Sequence, residues 1–512
     1  MPIFSIIFLF IIAIIFIRYR TSENRFYALF ALTVILQIHF FQGYFIKIGA
    51  NEIWSCESLS LKILAFYSLW LIFSGRARLG RNIYIGVMLC LLFLLGSIAY
   101  ETFVPFDGLL MPHMEGNTDG GYSWDNLVAG KVAMVGYQPS LQELVGASKT
   151  FLYYILVLAT FKAFFNLEFF TRSLMSVIKW GKLCIYYGLF EFFLKNAVGQ
   201  LTFTYDLAGA LFGVNRAAIF TEAFSKGGTF YSLQGFTREP SHYVMYLFTI
   251  ALFMVLAGVC QKRCLEIGVY IKKTFYPFEI ILSVLVMFLC GGFSTVWLTC
   301  LLLVATVIVY IHSRHLSLLQ WISKYQATVF GFMVVGMVLA YAISENDYLN
   351  GRLQDALYIV SFLQPGNLDI TGLVGVIGAG SEGIGSTISR FGSIAYGLEI
   401  CMGRPLFGIG PGTLWVHDTL ITLWLSYGIL ALLALYYLLT RSRFGLRYDH
   451  VLLVVLLVVG GLPMNINMQG LSLSYIVFAE ASAIYLLQPD QLPEQEKRSL
   501  LAEHPAKASS KD

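Results

Sequence analysis

Apolar stretches long enough to cross a lipid bilayer recur along almost the whole of this 512-residue chain. A membrane-spanning helix needs about 20 predominantly apolar residues. Runs of this kind, separated by polar stretches, lie at residues 3–17, 26–46, 59–74, 82–100, 148–166, 183–199, 241–259, 275–291, 294–312, 326–343, 418–440, 451–467 and 471–487. The pattern predicts an all-α, polytopic integral membrane protein with about 12–13 transmembrane helices.

The composition supports the same prediction. Charged residues make up 12% of the chain and hydrophobic residues 57%, whereas about 25% of the residues of soluble domains are charged. One water-soluble core cannot bury that much apolar surface, so lipid must solvate much of the chain. Because no basic stripe or nucleic-acid-binding motif occurs, we expect no nucleic-acid partner. The cysteines stand singly, and no Cys or His pattern at metal-ligand spacing predicts a metal or a cofactor.

Clusters of Lys and Arg mark the predicted cytoplasmic side of the membrane. They lie at positions 18–25, 76–81, 162–182, 262–273, 314–324 and 441–447. Since an even number of crossings separates successive clusters, we expect an outside N-terminus and a cytoplasmic C-terminus. Residues 1–487 then form a single membrane domain, and residues 488–512 form a cytoplasmic tail that its polar composition predicts to be disordered. The predicted external loops are about 101–147, 200–240 and 344–417, the last of them a large loop before the final helices.

The first candidate stretch for chemistry is GFTREPSHYVMYLF, residues 235–248. Arg238 and Glu239 precede a helix that Pro240 can begin. Glu239 suits the positive end of that helix dipole, and Arg238 can then reach an anion. The alternative is a capping and snorkelling pair that only frames the helix.

The second stretch covers residues 378–408, where glycines and small hydroxyl residues give way at Ser389 to a predicted helix that includes Arg390. Apolar residues recur there at helical spacing, at positions 391, 394, 398 and 401. One face of the helix can therefore lie on the membrane while Arg390 points elsewhere. A glycine-rich loop before a helix can bind phosphate through its N–H groups. A flexible loop with an interfacial helix is the alternative.

The third stretch is GRPLFGIGPGTLWVHD, residues 403–418. Its glycines and Pro411 force a turn, after which His417 and Asp418 precede a long apolar run. A histidine at that boundary is partly desolvated, which can keep it neutral and able to accept a proton. Asp418 can cap the helix. The alternative is an interfacial histidine in a polar helix cap.

Together these stretches resemble the bacterial O-antigen polymerases and O-antigen ligases. In that family a P-L-F-G-x-G-x-G turn precedes a histidine that is usually followed by Asn or Ser, and here PLFGIGPGT precedes His417 and Asp418. The family's G-S-x-x-x-R helix is similar to GSTISR, which ends at Arg390. The G-F-x-x-E-P-S stretch of many polysaccharide polymerases is similar to GFTREPS. An adjacent carboxylate in place of Asn or Ser would favour the charged form of His417.

The resemblance implies a GT-C-like glycosyltransferase of the bacterial inner membrane, with its active site facing the periplasm. Its substrate would be an undecaprenyl-diphosphate-linked oligosaccharide, and a chain-length regulator and a flippase of the same pathway would be partners. The catalytic residues would be His417, as the base that deprotonates a sugar hydroxyl, and Arg238 and Arg390, which stabilise the departing diphosphate. Residues that would bind the diphosphate or the glycan are Arg216, Glu239, Arg352, Arg404 and Asp418, of which Arg216 and Arg352 are chosen only for their location in the predicted external loops.

Several functions remain open at this point. We favour a metal-independent, inverting polymerase of O-antigen, capsule or exopolysaccharide. An O-antigen ligase, which transfers the glycan to lipid A-core, shares the same motifs. A transporter or flippase would need ionisable groups within the spans, and Glu191 and Lys195 are the exceptions that fit this alternative.

Overall fold

The structure, a computed structural model, describes residues 3–36, 44–48, 51–106, 110–113, 133–164, 167–212, 230–235, 237, 240–266, 277–313, 317–347, 349–351, 353–354, 384–414, 416 and 418–440. Helices dominate this part of the chain. They are α1 (Ile3–Arg18), α2 (Ser22–Ile35), α3 (Cys56–Phe73), α4 (Arg81–Phe103), α5 (Leu141–Ala163), α6 (Leu167–Phe193), α7 (Phe203–Phe212), α8 (Pro240–Glu266), α9 (Pro277–Leu289), α10 (Phe293–Ser313), α11 (Leu318–Lys324), α12 (Gln326–Glu345), α13 (Ile384–Gly403) and α14 (Thr419–Thr440). A π-helical turn, Leu194–Val198, directly follows α6.

Most of the predicted apolar runs coincide with helices. The runs 3–17, 59–74, 82–100 and 326–343 match α1, α3, α4 and α12 to within three residues at either end. Helix α5 begins seven residues before its run, because Ser140 and Glu143 form a capping box. The Oγ of Ser140 accepts the N–H of Glu143 at 3.3 Å, and the Glu143 carboxylate accepts the N–H of Ser140 at 2.7 Å. The last two predicted runs, 451–467 and 471–487, lie outside the described residues.

The all-α prediction is confirmed at the level of fold class, and the described residues also form two short β-hairpins. Strand β1 (Tyr44–Ile48) pairs antiparallel with β2 (Asn51–Ser55), so the run 26–46 is not one helix. Strand β3 (Leu110–His113) pairs antiparallel with β4 (Ala133–Gly136) inside a predicted external loop. Aromatic and β-branched residues such as those of YFIKI in β1 favour strands as much as they favour apolar helices. The other two predicted loops also contain helices, α7 and α13.

Four of the described helices are long and apolar enough to cross a membrane, judged by length and composition. They are Cys56–Phe73, Arg81–Phe103, Leu141–Ala163 and Leu420–Thr440. Shorter apolar segments lie at Ile3–Arg18, Tyr243–Val255, Phe278–Leu289 and Leu298–Val309.

Helix α4 is apolar on its packed face and on its exposed face. It buries Ile83, Val87, Cys90 and Leu94 in the core. The exposed stripe on the other side consists of Tyr84, Met88, Leu92 and Leu95, which are 46–64% exposed. A helix that is hydrophobic all round lies in a protein core or in a membrane.

Helix α5 runs the length of the bundle and defines its two ends. Near its start, a Cβ atom built on Gly410 would lie 2.5 Å from the Leu144 side chain, so α5 begins beside the glycine-rich segment 408–412. Near its other end, the Lys162 Nζ donates to the carbonyl oxygen of Leu439 at 2.8 Å. We call the end of the bundle where Leu144 contacts Gly410 the turn end.

Helix α6 starts at the opposite end of the bundle. Its residue Ser173 donates to the carbonyl oxygen of Tyr27 at 3.4 Å, and the Tyr27 hydroxyl donates to the carbonyl oxygen of Phe164, just after α5. A helix of 27 residues is roughly 40 Å long, so α6 is long enough to span the bundle.

Candidate active site

The glycine-rich segment that follows α13 forms a tight turn. Gly408, Gly410 and Gly412 have φ angles of 68°, 90° and 74°, which residues with a Cβ atom rarely adopt. The Thr413 hydroxyl closes the turn by donating to the carbonyl oxygens of Ile409 and Gly410, at 2.8 and 2.5 Å. The sequence-predicted turn is thus present, and each of its glycines is required by the backbone.

This turn is built into a break in α14. At Gly428 the backbone leaves the helical region, with φ 77° and ψ 169°. A helix end leaves N–H and C=O groups without partners inside the helix. Here the turn supplies these hydrogen-bond partners. The N–H of Ile409 donates to the carbonyl oxygen of Leu425 at 2.7 Å, and the N–H of Ile429 donates to that of Pro405 at 2.9 Å. The turn and the broken helix are therefore one hydrogen-bonded unit.

Helix α4 joins this unit through Ser97, which is 1% exposed. The Ser97 hydroxyl lies within donating distance of two carbonyl oxygens, 2.7 Å from that of Phe407 and 2.9 Å from that of Ser426. One side chain thus fastens the turn and the break in α14 to the same point of α4.

Arg404 fastens the start of the turn to the end of α4. Its Nη1 lies 3.0 Å from a carboxylate oxygen of Glu101 and donates to the carbonyl oxygen of Val104 at 2.6 Å. Its Nη2 donates to the carbonyl oxygen of Pro105 at 2.9 Å. The aromatic rings that contact the guanidinium, at 5.1 and 5.0 Å, are those of Tyr100 and Phe106. These contacts give Arg404 a structural role, and its binding of a diphosphate stays a prediction.

Removing the Arg404 side chain is expected to destabilise the fold, because the Glu101 carboxylate is 3% exposed. Arg404→Leu removes the cation that lies 3.0 Å from this buried carboxylate, and we expect a loss of about 3 kcal/mol in the free energy of unfolding. The control is Arg404→Leu combined with Glu101→Gln, which removes both charges and keeps an acceptor for the N–H of Phe106. Thermal unfolding in detergent measures both variants. Equal losses in the single and the double variant would show that the ion pair is not the cause.

Asp418 caps α14. Its carboxylate accepts the N–H of Ile421 at 2.8 Å, and its carbonyl oxygen accepts that of Thr422 at 2.9 Å. Burial raises the pKa of Asp418 above its ordinary value, and the bonds from the N–H groups of Ile421 and Leu420 partly oppose that rise. The structure therefore confirms the prediction that Asp418 caps the helix. A contact of Asp418 with substrate stays a prediction.

The raised pKa of Asp418 predicts that its charge weakens the fold at neutral pH. The folded chain holds this proton more tightly than the unfolded chain does. The contribution of Asp418 to stability is therefore full below the ordinary carboxyl pKa of about 3.9 and is lost as the pH rises through the raised value. Asp418→Asn keeps the cap without the charge, so we expect its melting temperature to exceed that of the wild type at pH 7.5 and the difference to shrink at pH 4.5. Asp418→Ala, which removes the cap, should lose about 1 kcal/mol. An Asn variant no more stable than the wild type at pH 7.5 would contradict this account.

Helix α13 differs from its prediction in its start and in its packing face. It begins at Ile384, before Ser389, so part of the predicted glycine-rich loop is helical. A Cβ atom built on Gly397 would lie 2.9 Å from the side chain of Val416, because this face of α13 packs on the segment that leads into α14. Cys401 is buried and Leu398 is exposed, so the residues of the predicted apolar stripe are not uniformly exposed.

A second structured segment, residues 230–235, leads into the GFTREPS motif. Glu191, in the last turn of α6, and Lys195, in the π-helical turn, form an ion pair of 2.9 Å with both side chains at most 1% exposed. The Glu191 carboxylate accepts the N–H of Gly235 at 2.7 Å, and the Lys195 ammonium donates to the carbonyl oxygen of Ser232 at 3.0 Å. These two residues, which the sequence offered as candidates for a transporter, hold the backbone of the segment 230–235.

The structure places only some of the predicted site residues. Arg404 and Asp418 are described in full, and Arg390 is described as part of α13 without its side chain. The remaining predicted residues lie outside the described part: Arg216, Arg238, Glu239, Arg352 and His417. His417 is joined to the buried residues Val416 and Asp418. That Arg238, Arg390 and His417 form one site stays a prediction.

Sequence reasoning missed two of the residues that organise the turn: Ser97 and Glu101. Glu101 had a usable signal, since it lies at the predicted outer end of α4, on the same predicted side of the membrane as Arg404. Ser97 carries no signal of this kind, because its partners are backbone groups of distant segments.

Comparison with known proteins identifies no family for this chain. Among the described residues, no group of three or more His, Cys, Asp or Glu side chains is placed to hold a metal ion. No protein-family model matches this chain, and no curated protein is significantly similar to it.

Proposed function

We propose that this chain is a polytopic, GT-C-like membrane glycosyltransferase that polymerises a bacterial surface polysaccharide. It transfers glycan from undecaprenyl diphosphate to a sugar hydroxyl of another lipid-linked repeat unit, on the periplasmic side of the inner membrane. The observation that carries the proposal is the glycine turn of the PLFGIGPG motif, which is hydrogen-bonded into the break of α14 and leads directly to His417. A turn fixed in this way can hold the adjoining histidine in one place, which a general base requires.

The exposed apolar surface supports a membrane location. The stripe on α4 from Tyr84 to Leu95 faces away from the core, and lipid can solvate it where water cannot. Helix α4 also packs antiparallel to α14, since Gly86 contacts Leu438 while Ser97 contacts Ser426. Six predicted crossings lie between these two helices along the chain, and an even number of intervening crossings fits that direction. The four helices of spanning length agree with the same proposal.

The proposed chemistry places each predicted residue at one step. His417 accepts the proton of the acceptor hydroxyl, and the oxygen attacks the anomeric carbon from the side opposite the diphosphate. The bond between that carbon and the diphosphate oxygen breaks, which inverts the anomeric centre. Arg238 and Arg390 stabilise the charge on the departing undecaprenyl diphosphate. These steps involve no oxidation or reduction of the three side chains.

Two features of the fold are ones that a transporter would also use. Broken helices and buried ionisable pairs are typical of transporter binding sites. In this chain the broken ends of α14 are paired with the turn through Ile409 and Ile429. Glu191 and Lys195 are paired with each other and with the segment 230–235. Since these polar groups are engaged in holding loops, we favour the glycosyltransferase over a transporter.

Loss of the protein from its host separates the candidate functions. A polymerase defect leaves single repeat units on the lipid A-core. A ligase defect leaves lipid-linked polymer and a bare core. Unchanged surface glycan would exclude both enzymes.

The purified protein provides the direct test. In proteoliposomes that contain lipid-linked repeat units, a polymerase yields longer lipid-linked glycans, which gel electrophoresis resolves. Movement of the lipid-linked unit between leaflets, with no change in glycan length, would indicate a flippase and overturn the proposal.

A further inference from the structure

The ion pair of Glu191 and Lys195 is buried, and a buried ion pair contributes little to the stability of a fold. Both side chains are withdrawn from solvent. Replacing a buried ion pair by apolar residues of similar volume is often neutral or stabilising, because desolvation of the two charges offsets their attraction. What this pair provides is a set of hydrogen bonds to backbone groups that an apolar pair cannot form. Its function is therefore to be sought in the segment that it binds.

The pair binds the segment 230–235 from both sides. One carboxylate oxygen of Glu191 accepts two successive N–H groups, those of Gln234 at 3.3 Å and Gly235 at 2.7 Å. The ammonium of Lys195 donates to the carbonyl oxygen of Ser232 at 3.0 Å. Within these four residues, two backbone N–H groups thus bond to the negative side chain, and one backbone carbonyl oxygen bonds to the positive side chain.

The π-helical turn adds a further anchor one residue beyond Lys195. The amide of Asn196 accepts the N–H of Tyr231 at 2.6 Å through Oδ1 and donates to the carbonyl oxygen of Tyr231 at 3.3 Å through Nδ2. This is the pairing that a neighbouring strand residue would make. Single π-helical turns within helices occur frequently at functional sites, and this one aligns Lys195 and Asn196 with the same segment.

Close packing fixes the end of the segment against α8. Gly235 has a φ of 57°, and a Cβ atom on it would lie 2.7 Å from the ring of Tyr243. The hydroxyl of Tyr243 donates to the carbonyl oxygen of Cys184 in α6 at 2.6 Å. Thr237, which is 0% exposed, donates through its hydroxyl to the carbonyl oxygen of Gln234 at 2.7 Å. Only two residues, Arg238 and Glu239, separate Thr237 from Pro240, where α8 begins.

We propose that Glu191 and Lys195 are positioning residues, which fix the backbone of the segment 230–235 from which the chain continues to Arg238. This inference rests on the proposed function for the role of Arg238. The carboxylate of Glu191 fixes the path of the backbone through Gln234 and Gly235, and Lys195 neutralises that carboxylate where water cannot. An arginine that stabilises a leaving group must be placed to within about 1 Å, since a misplacement of that size can lower a rate by about 10²-fold.

The test compares two double variants that both remove the two charges. Glu191→Gln with Lys195→Met keeps an oxygen acceptor for the N–H groups of Gln234 and Gly235. Glu191→Leu with Lys195→Met removes it. Neither leaves an unpaired buried charge, so both are expected to fold. We expect the Leu variant to elongate lipid-linked repeats about 10²-fold more slowly, mostly through kcat. We expect the Gln variant to remain within about tenfold of the wild type, since a neutral acceptor replaces the charged one.

Hydrogen exchange of the segment 230–237 provides a readout that does not depend on activity. In the wild-type protein the amides of Gln234 and Gly235 should be strongly protected, and in the Leu variant they should exchange at least about tenfold faster. Equal turnover in the two variants would overturn the proposal. Rapid exchange of these two amides in the wild type would also overturn it, even if the Leu variant fails to fold.

The matched control is another ion pair that involves α6. Lys182 lies 2.7 Å from Glu279 of α9, away from the segment 230–237. Lys182→Met with Glu279→Leu should keep turnover within about twofold of the wild type, because the site is distant. If the wild type shows no elongation while protection of Gln234 and Gly235 follows the expected order, the proposed function fails and the anchoring of the segment stands.

Discussion

Replacing His417 with alanine is expected to lower the rate of glycan elongation by about 10²- to 10⁴-fold, the range in which a positioned general base contributes. The variant should still fold, because the described contacts of the turn and of the cap are made by other residues: Thr413, Ile409 and Asp418. The measurement is the initial rate of elongation in proteoliposomes, with the melting temperature recorded beside it.

Two other histidines provide the comparison for His417. His113 ends strand β3 in the hairpin, and His113→Ala should keep the rate of the wild type. His242 follows Arg238 closely in the sequence and is the second choice for the base. A large loss of rate in His242→Ala with a normal rate in His417→Ala would move the base to His242. Full activity of both variants would reject a histidine base.

Alanine at Gly428 is expected to cause one of the largest losses of stability of any single methyl addition in the described helices. Its φ of 77° costs a residue with a Cβ atom roughly 1–2 kcal/mol. The added Cβ would also collide with the carbonyl oxygen of Leu406, which is backbone and cannot rotate away. Overpacking of this kind typically costs a further 1–3 kcal/mol. We expect Gly428→Ala to release the turn from α14 and to lose elongation activity together with stability.

Gly75 is the matched control for the backbone conformation. It has a φ of 68°, and a Cβ atom placed on it would meet nothing within 4 Å. Gly75→Ala therefore carries the conformational cost without the collision, and it should lose only about 1–2 kcal/mol and keep its activity. Thermal unfolding in detergent measures both variants. Similar losses at the two positions would mean that the turn tolerates the methyl group at Gly428.

Most of the long helices were predictable from the sequence, and helix α7, the hairpins and the break in α14 were not. A run such as that of α4 is recognisable because its length and composition suit one environment throughout. The first three residues of Tyr44–Ile48 continue the apolar run that begins at residue 26, so hydropathy assigns them to a helix. The break at Gly428 depends on hydrogen bonds from Ile409 and Ile429. Such a pairing cannot be inferred from the residues on either side of a glycine.

The motifs of the candidate site were also predictable, but the residues that hold them were not. The glycines of the turn and the cap at Asp418 follow from local rules about positive φ and helix starts. The support comes from Glu101, which is 303 positions from Arg404 in the sequence, and from Glu191, which lies 44 positions from Gly235. The sequence flagged Glu191 as an unexpected charge in an apolar run, and only the fold shows that its partners are backbone amides.

The link between Ser97 and the break in α14 also sets an order for assembly during synthesis. Ser97 reaches the carbonyl oxygen of Ser426, which lies 329 positions later in the chain. At translation rates of about 5–20 residues per second, that separation corresponds to about 15–65 s. During that time the hydroxyl of Ser97 and the carboxylate of Glu101, both in α4, lack their final partners. The N-terminal half of the bundle therefore completes its packing only after the C-terminal part has been synthesised. A chain truncated before the turn would leave Ser97 and Glu101 without these final partners.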